Sequence, residues 1–563
     1  MIEQAILHII DSQFCFPTNL HTLKLRLRIA KEDFPTINVV YGGKYEYAQI
    51  QYKTHMQREF VDSHFAYYTA ELKLKDSRCV YVFEIINQNE TRYFSEDGLT
   101  KTYDFELNYY NAFQMPYINE IDVHNEVSWL ENAVFYQIFV DRFSRGNFIK
   151  DDKYINMKWG ELPSQKGFAG GDLIGIANNL DYLKDLGVTA LYLTPIFESP
   201  SNHKYDVVDY YKVDKQFGSN EDFEKLVQMA HEKGLKIVLD AVFNHCSSDC
   251  AIFQDVKNKG RKSEYFEWFL IDGDKPDEKK MNYDCFASCQ YMPKWNTSNL
   301  KLQEFLINVA TYWIKEYDID GWRLDVSDEV SHNFWRNFKI AVKKEKKECL
   351  ILGENWHDAN SYLKGDQYDS IMNYAFTKAC LDFFAFERTS AKDFAEKLNE
   401  LLMRNTDQVN SMMMNLLDSH DTHRFMTRVG ENKDKLMSAI AVTFMFVGAP
   451  CIYYGTENAM VGGYDPDCRR TFDSAEITRE NEVKSLIKKL ANLKKQKIIG
   501  GKIAICETDG LFSLKRINKD STIELLINNT KNPIAIKPFG EIVAVNKFVS
   551  EKLLPDGFVI FKN

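Results

Sequence analysis

The first 122 residues alternate short apolar and polar stretches, among them LKLRLRI at 23–29, YYTAELKL at 67–74 and VYVFEII at 80–86. A period of two sends successive side chains to opposite faces of a strand, and turn residues separate the runs, so this region predicts an antiparallel β-sandwich. From about residue 132 the texture changes to buried strands alternating with amphipathic helices. The clearest unit starts at Ser219, a helix cap, and carries Phe223, Leu226, Val227 and Ala230 on one face. Gly234 ends the helix and LKIVLDAVF follows as a strand.

Seven further apolar runs match that strand, beginning at Ala133, Val188, Ile319, Cys349, Ser370, Met412 and Ala449. Eight strands with helices between them predict an α/β chain built on a (β/α)8 TIM barrel. The segment 246–299 after the third strand is too long for a loop and too irregular for the barrel, so it reads as an inserted subdomain. Short strand-like pieces such as STIELLINN at 521–529 form a β-rich tail. The expected division is an N-terminal β-sandwich over 1–122, the barrel over 123–500 and a small C-terminal β domain over 501–563.

Composition narrows the class of partner. Hydrophobic residues are 45% and charged residues 27% of 563, ordinary globular proportions that exclude a disordered, collagenous or coiled-coil chain. Seventy Lys and Arg against 81 Asp and Glu leave a net charge of −11, which provides no basic field for nucleic acid. Eleven cysteines in so long a chain do not make a disulfide scaffold and fit a reducing compartment. The opening MIEQAILHIIDSQ has Glu3 where a signal peptide wants a cation, so the expected location is the cytoplasm. An uncharged stretch at 436–455 has the length of a membrane span, but Gly448 and Pro450 divide it into a buried helix and a buried strand, and no membrane partner is expected.

Polar residues gather at four strand ends: DAVFNH (Asp240, Asn244, His245), GWRLD (Arg323, Asp325), GENW (Glu354, Trp356) and DSHD (His420, Asp421). A barrel builds its site on this face. Arg323 precedes Asp325 by two residues and so shares its strand face, which suits an ionised nucleophile beside a cation. Glycoside hydrolysis with retention needs such a set, one carboxylate to attack the anomeric carbon and one protonated carboxyl to release the leaving oxygen. Any one of these motifs alone is explained by helix capping; four in barrel order are not.

At this point the chain resembles the α-amylase family of glycoside hydrolases, in its cyclomaltodextrinase, maltogenic amylase and neopullulanase branch. The resemblance runs from FYQIFVDRF at 135–143 through GGDLIGI, LTPIFESPSNHKYDVVDYY and the four strand ends to GAPCIYYGTE and DPDCRR. It implies Asp325 as nucleophile, Glu354 as general acid/base and Asp421 as the transition-state-stabilising aspartate. It also implies Tyr205 as a stacking platform, His245, Arg323 and His420 as hydrogen-bonding partners next to the scissile bond, and Asp465 and Arg469 on the preceding sugar. The HKYD and ENWH contexts turn Tyr205 and Trp356 toward sugar contact rather than ordinary packing. MPKWN at 292–296 resembles the branch's MPKLN, with Trp295 in place of leucine, and differs from the QPDLN of oligo-1,6-glucosidases.

The expected activity is cleavage of α-1,4 bonds in cyclodextrins, maltooligosaccharides and pullulan, with transglycosylation as a side reaction. The alternatives are an oligo-1,6-glucosidase-like α-glucosidase of the same family and an inactive carbohydrate-binding barrel. The branch implies a homodimer formed through a starch-module-like N-terminal domain. It often binds calcium after the first strand; here Asn147, Asp151, Gly170 and Asp172 remain, but Arg145 and Lys150 stand where neutral oxygen ligands belong, so no metal cofactor is expected. Cys246, Cys250, Cys285 and Cys289 have spacings within the range of zinc ligands but read as isolated thiols.

Overall fold

The structure is a computed structural model that describes residues 1–88, 90–147 and 150–563. Its N-terminal part is a sandwich of two antiparallel sheets. One has the strands Cys15–Asn19, Thr22–Ala30, Phe65–Lys73 and Gln57–Val61 in that order, and the other centres on Thr36–Gly42 and Cys79–Asn87. The alternation has two different packing partners. Leu23, Leu25, Leu27 and Ile29 fill the sandwich against Val39, Tyr81 and Phe83. Two of the intervening cations face the barrel, where Lys24 and Arg26 both bind Asp407, at 2.6 and 2.5 Å.

The barrel strands are Phe135–Ile138, Ala190–Leu193, Lys236–Ala241, Gly321–Leu324, Leu350–Gly353, Ser370–Ile371, Met414–Leu416 and Ala449–Tyr453, all parallel to their neighbours. The ring closes between the sixth and seventh strands through a single bridge, Met372 to Met414. Side chains reinforce this closure: Ser370 Oγ donates to the Met412 carbonyl at 2.6 Å and Asn373 Nδ2 to Asn415 Oδ1 at 2.8 Å. Phe135, Ala190, Tyr192, Val238, Leu352 and Met414 pack in the barrel's interior cluster. Ser219 caps the helix Asn220–Glu232 in a reciprocal box with Asp222, as the sequence predicts.

The long apolar stretch at 436–455 divides as expected. Lys433–Met445 is a helix buried along nearly all its length, and Ala449–Tyr453 is the eighth strand. Gly448 between them has φ +110°, and a β-carbon there would lie 2.4 Å from the Met413 carbonyl, so the turn requires glycine. Among the described residues, no helix is long and apolar enough to cross a membrane. In the segment 246–299, one helix, Ala251–Lys259, and short turns pack on the barrel. Trp295 is its anchor: it is buried, stacks on Phe269 and donates Nε1 to Tyr210 Oη at 3.1 Å. The tryptophan in MPKWN therefore serves the core. After the helix Glu482–Lys495, an antiparallel sheet from Lys502 to Lys562 completes the chain.

Candidate active site

Strand register puts the charged residues together. Asp240 on the third strand is the cross-strand partner of Arg323 on the fourth, and Leu324 is level with Gly353 on the fifth. Asp325 and Glu354, each one residue further on, therefore leave adjacent strands at the same height. Arg323 is fully buried and lies among all three acids. Nη1 is 2.8 Å from Asp240 Oδ1 and 2.9 Å from Asp325 Oδ1, and Nη2 is 2.9 Å from Glu354 Oε2. The Nη2 contact is an ion pair without hydrogen-bond alignment, since that nitrogen has no hydrogen-bond partner.

Burial opposes ionisation here. Desolvation pushes Asp325 well above the carboxylate range; Arg323 opposes this, while Glu354, Asp240 and Asp421 add to it. Desolvation raises Glu354 as well, again against Arg323 and with Asp421 adding. Asp240 is held at about 6, by burial first. Three carboxyls around one guanidinium exceed its single positive charge, so Asp240, Asp325 and Glu354 titrate as a unit and retain a proton near neutral pH. Such a set supplies both an anion and an acid.

The histidines are neutral. Burial, with Arg469 and Arg323 nearby, pushes His420 well below its usual value, and burial brings His245 to about 3. Gln137 on the first strand donates to His420 Nδ1 at 2.7 Å, which leaves the ring proton on Nε2. That nitrogen lies 2.5 Å from Tyr205 Oη and 3.0 Å from Asp421 Oδ2, while Tyr205 Oη donates to Asp240 at 3.0 Å. The Tyr205 ring stacks on His420 within 7° of parallel. His245 stacks on Phe286, and among the described residues its buried Nε2 makes no hydrogen bond of normal geometry.

Arg469 extends the set outward, pairing with Asp465 at 2.8 Å and Asp421 at 3.2 Å. Trp356 is 45% exposed, stacks on Tyr374 at 3.7 Å and donates Nε1 to Glu354 Oε1 at 3.2 Å. All ten residues singled out in the sequence thus lie in one connected cluster at the barrel mouth. Gln137, Tyr192, Phe286 and Tyr374 also belong to it and were not singled out. Gln137 had a signal, a polar residue inside the apolar run FYQIF, and Tyr192, which donates to Asp240 at 2.7 Å, had none.

Lys150 Nζ lies 2.6 Å from Asp172 Oδ2 and donates to the Gly170 carbonyl at 2.7 Å. Arg145 donates to the Ala169 carbonyl. The oxygens of the calcium loop are therefore taken by ammonium and guanidinium groups, and this loop does not fit a divalent cation; residues 148 and 149 lie outside the described residues. Cys246 and Cys250 are buried beside each other, with Cys285 and Cys289 partly exposed. Among the described residues, no group of three or more His, Cys, Asp and Glu side chains is arranged to hold a metal.

A parallel eight-stranded barrel whose strand ends converge on paired carboxyls, one arginine and neutral histidines belongs to the glycoside hydrolase class. Residues 137–497 match the α-amylase catalytic domain, and residues 1–119 match the N-terminal Ig-like domain found with it. A cyclomaltodextrinase of Thermoanaerobacter pseudethanolicus is 41% identical, covering 94% of this chain and 93% of its own. An intracellular maltogenic amylase of Bacillus subtilis is 40% identical over 84% of this chain and 81% of its own. A solved cyclomaltodextrinase structure superposes with a TM-score of 0.91 at 33% identity, covering 100% of this chain and 98% of that one. The chain belongs to the α-amylase family of glycoside hydrolases.

Proposed function

We propose that this enzyme is a retaining α-glucan hydrolase that cuts α-1,4 bonds in cyclodextrins, maltooligosaccharides and pullulan. The observation that carries the reading is Arg323, one guanidinium in contact with both Asp325 and Glu354. Retention calls for two carboxyls ~5 Å apart, one nucleophilic and one acidic, and a shared cation favours that closeness over the wider, water-spanning spacing of inverting enzymes. Glu354 protonates the glycosidic oxygen as Asp325 attacks the anomeric carbon, which gives a glycosyl-enzyme and frees the leaving chain. Glu354, now a carboxylate, takes a proton from water, whose oxygen displaces Asp325. When a sugar hydroxyl replaces that water, the product is a transglycosylated oligosaccharide.

Asp421 steadies the positive charge that develops at the ring, with His420, His245 and Arg323 on sugar hydroxyls and Tyr205 under the ring face. Trp356 faces the leaving chain, and Asp465 with Arg469 holds the preceding sugar. No metal step is required. Asp325→Asn and Glu354→Gln are expected to lower turnover about a thousandfold or more, roughly 4 kcal/mol of barrier, with unchanged melting. Retention of a tenth of the activity by either variant overturns that residue's role. Product analysis on cyclodextrin, starch and pullulan ranks the substrates.

The cytoplasm is the proposed location, supported by the intracellular relative. The homodimer is proposed on the exposed aromatic surface of the N-terminal domain, where Tyr45, Tyr109 and Tyr110 are 68, 58 and 83% exposed. A partner's domain across the mouth would exclude bulky starch by sterics. Deletion of residues 1–124 is expected to give a monomer with a lower ratio of cyclodextrin to starch activity. A monomeric full-length protein at micromolar concentration, or an unchanged ratio, overturns the dimer.

A further inference from the structure

The two oxygens of Glu354 have different partners. Oε2 accepts from the Val326 N–H at 2.9 Å and faces Arg323 Nη2 at 2.9 Å. Val326 follows Asp325 directly and adopts φ 45°, ψ 45°, a left-handed conformation that β-branched residues avoid. This conformation aims its N–H at the acid. With the Val326 N–H donated to Oε2 and the positive Arg323 guanidinium beside it, a proton on that oxygen would be repelled by both, so the acid's proton resides on Oε1. Among the described residues, the one donor that reaches Oε1 is the indole of Trp356, at 3.2 Å.

We propose that Trp356, besides its place beside the leaving chain, is a positioning residue whose indole N–H sets the proton affinity of Glu354 Oε1. This rests on Glu354 being the acid/base. As the proton moves from Oε1 to the glycosidic oxygen, negative charge appears on the atom that the indole faces, so the contact strengthens during the step. On the return, the same N–H makes Oε1 a weaker base toward water. A hydrogen bond that favours the charged form of a carboxyl eases proton release and slows proton recapture. The stack on Tyr374, 3.7 Å apart and within 6° of parallel, fixes the indole plane while leaving its outer face open.

Other groups also act on Glu354, from every surrounding strand: Tyr192 from the second, Asp240 from the third, Arg323 and Asp325 from the fourth, Tyr374 after the sixth and Asp421 after the seventh. None of these changes in Trp356→Phe, which keeps a flat ring over Tyr374 and removes only the N–H. The alkaline limb of kcat/KM against pH, where free enzyme loses the acid's proton, is expected to move up by about half to one pH unit in this variant. Trp356→Leu, which loses the ring as well, should move the limb equally while raising KM further. An unmoved limb in both, with kcat/KM lowered evenly at every pH, overturns the proposal and leaves Trp356 a sugar platform. Glu354→Gln separates the two readings: its residual activity should lack the alkaline limb, and a limb that persists there shows that Glu354 is not the acid.

Discussion

Two buried cations organise this molecule in opposite ways. Arg323 lies among three carboxyls that leave adjacent strand ends, with a fourth, Asp421, close by. Among the described residues, Lys150 meets one carboxylate, Asp172, and main-chain carbonyls. Asp172 is itself satisfied by the N–H groups of Gly146 and Gly175. The second arrangement is balanced and ties a loop down. The first has more acid than base, so its protons are loosely shared, and it is there that acid and nucleophile chemistry is possible. Charge imbalance, rather than burial or ion pairing as such, separates the reactive cluster from the structural one.

Removing each cation probes that difference. Arg323→Met leaves Asp240, Asp325 and Glu354 without their shared counter-ion, so they take up protons and the proposed nucleophile, Asp325, is lost. Activity is expected to fall beyond a thousandfold, with the pH optimum displaced upward in whatever remains. Activity within tenfold of the parent would show that the imbalance is not what matters. Lys150→Met should cost about 3 kcal/mol of stability, as for other buried pairs broken on one side, while kcat/KM stays within about twofold. A larger loss of rate than of melting temperature would join the loop to the reaction. The parent protein should keep its melting temperature in EDTA, and stoichiometric calcium in the purified enzyme would reverse the reading of this loop.

Acid provides the mildest test, because it acts outside both clusters as well. His8, His124 and His203 are pushed down to about 4 and His245 to about 3, each by burial first. A base whose folded value lies below its unfolded value near 6.5 stays neutral in the fold while the unfolded chain binds a proton. Its contribution is therefore intact above pH 6.5 and erodes as pH falls toward 4, by about 1 kcal/mol per histidine per pH unit. The paired acids behave otherwise: Asp369, held down to about 2 by Lys339 and Lys343 against its own burial, loses its contribution only below the ordinary carboxylate range. Denaturant melts at pH 7, 6 and 5 should show the histidine slope. A flat profile over that range would mean that the buried rings protonate without opening the fold.

The sequence carried the fold through spacing. Strand ends were legible because apolar runs stop at acids, and the sandwich was legible because LKLRLRI alternates. What it hid was the second neighbour of each residue. Lys24 and Arg26 are visible only as the polar positions of an alternating run, yet they bind Asp407 on the barrel, far away in sequence. Asp240 was visible at a strand end, but its pairing with Arg323 depends on register between strands more than 80 residues apart. Trp295 read as a departure from a motif and is a core anchor. The left-handed turn at Val326 leaves no trace in composition, since valine is the residue least expected there. Lys150 was legible as a charge misplaced for calcium, though not the oxygens it would take.

The closure of the barrel has a mechanical consequence. Most neighbouring strands share three or four register pairs; the sixth and seventh share the single Met372 bridge, assisted by Ser370 and Asn373. A hoop fastened by a clasp bends at the clasp, so compliance concentrates there. Asp325 and Glu354 leave the fourth and fifth strands, on the stiff arc and clamped to one another by Arg323, whereas Asp421 follows the seventh strand across the clasp. Strain in the ring would thus alter the gap between Asp421 and the other two acids while their own separation holds. In the proposed mechanism, the bond-making pair behaves as a fixed gauge, and the third carboxylate is the jaw that accommodates a sugar ring as it flattens.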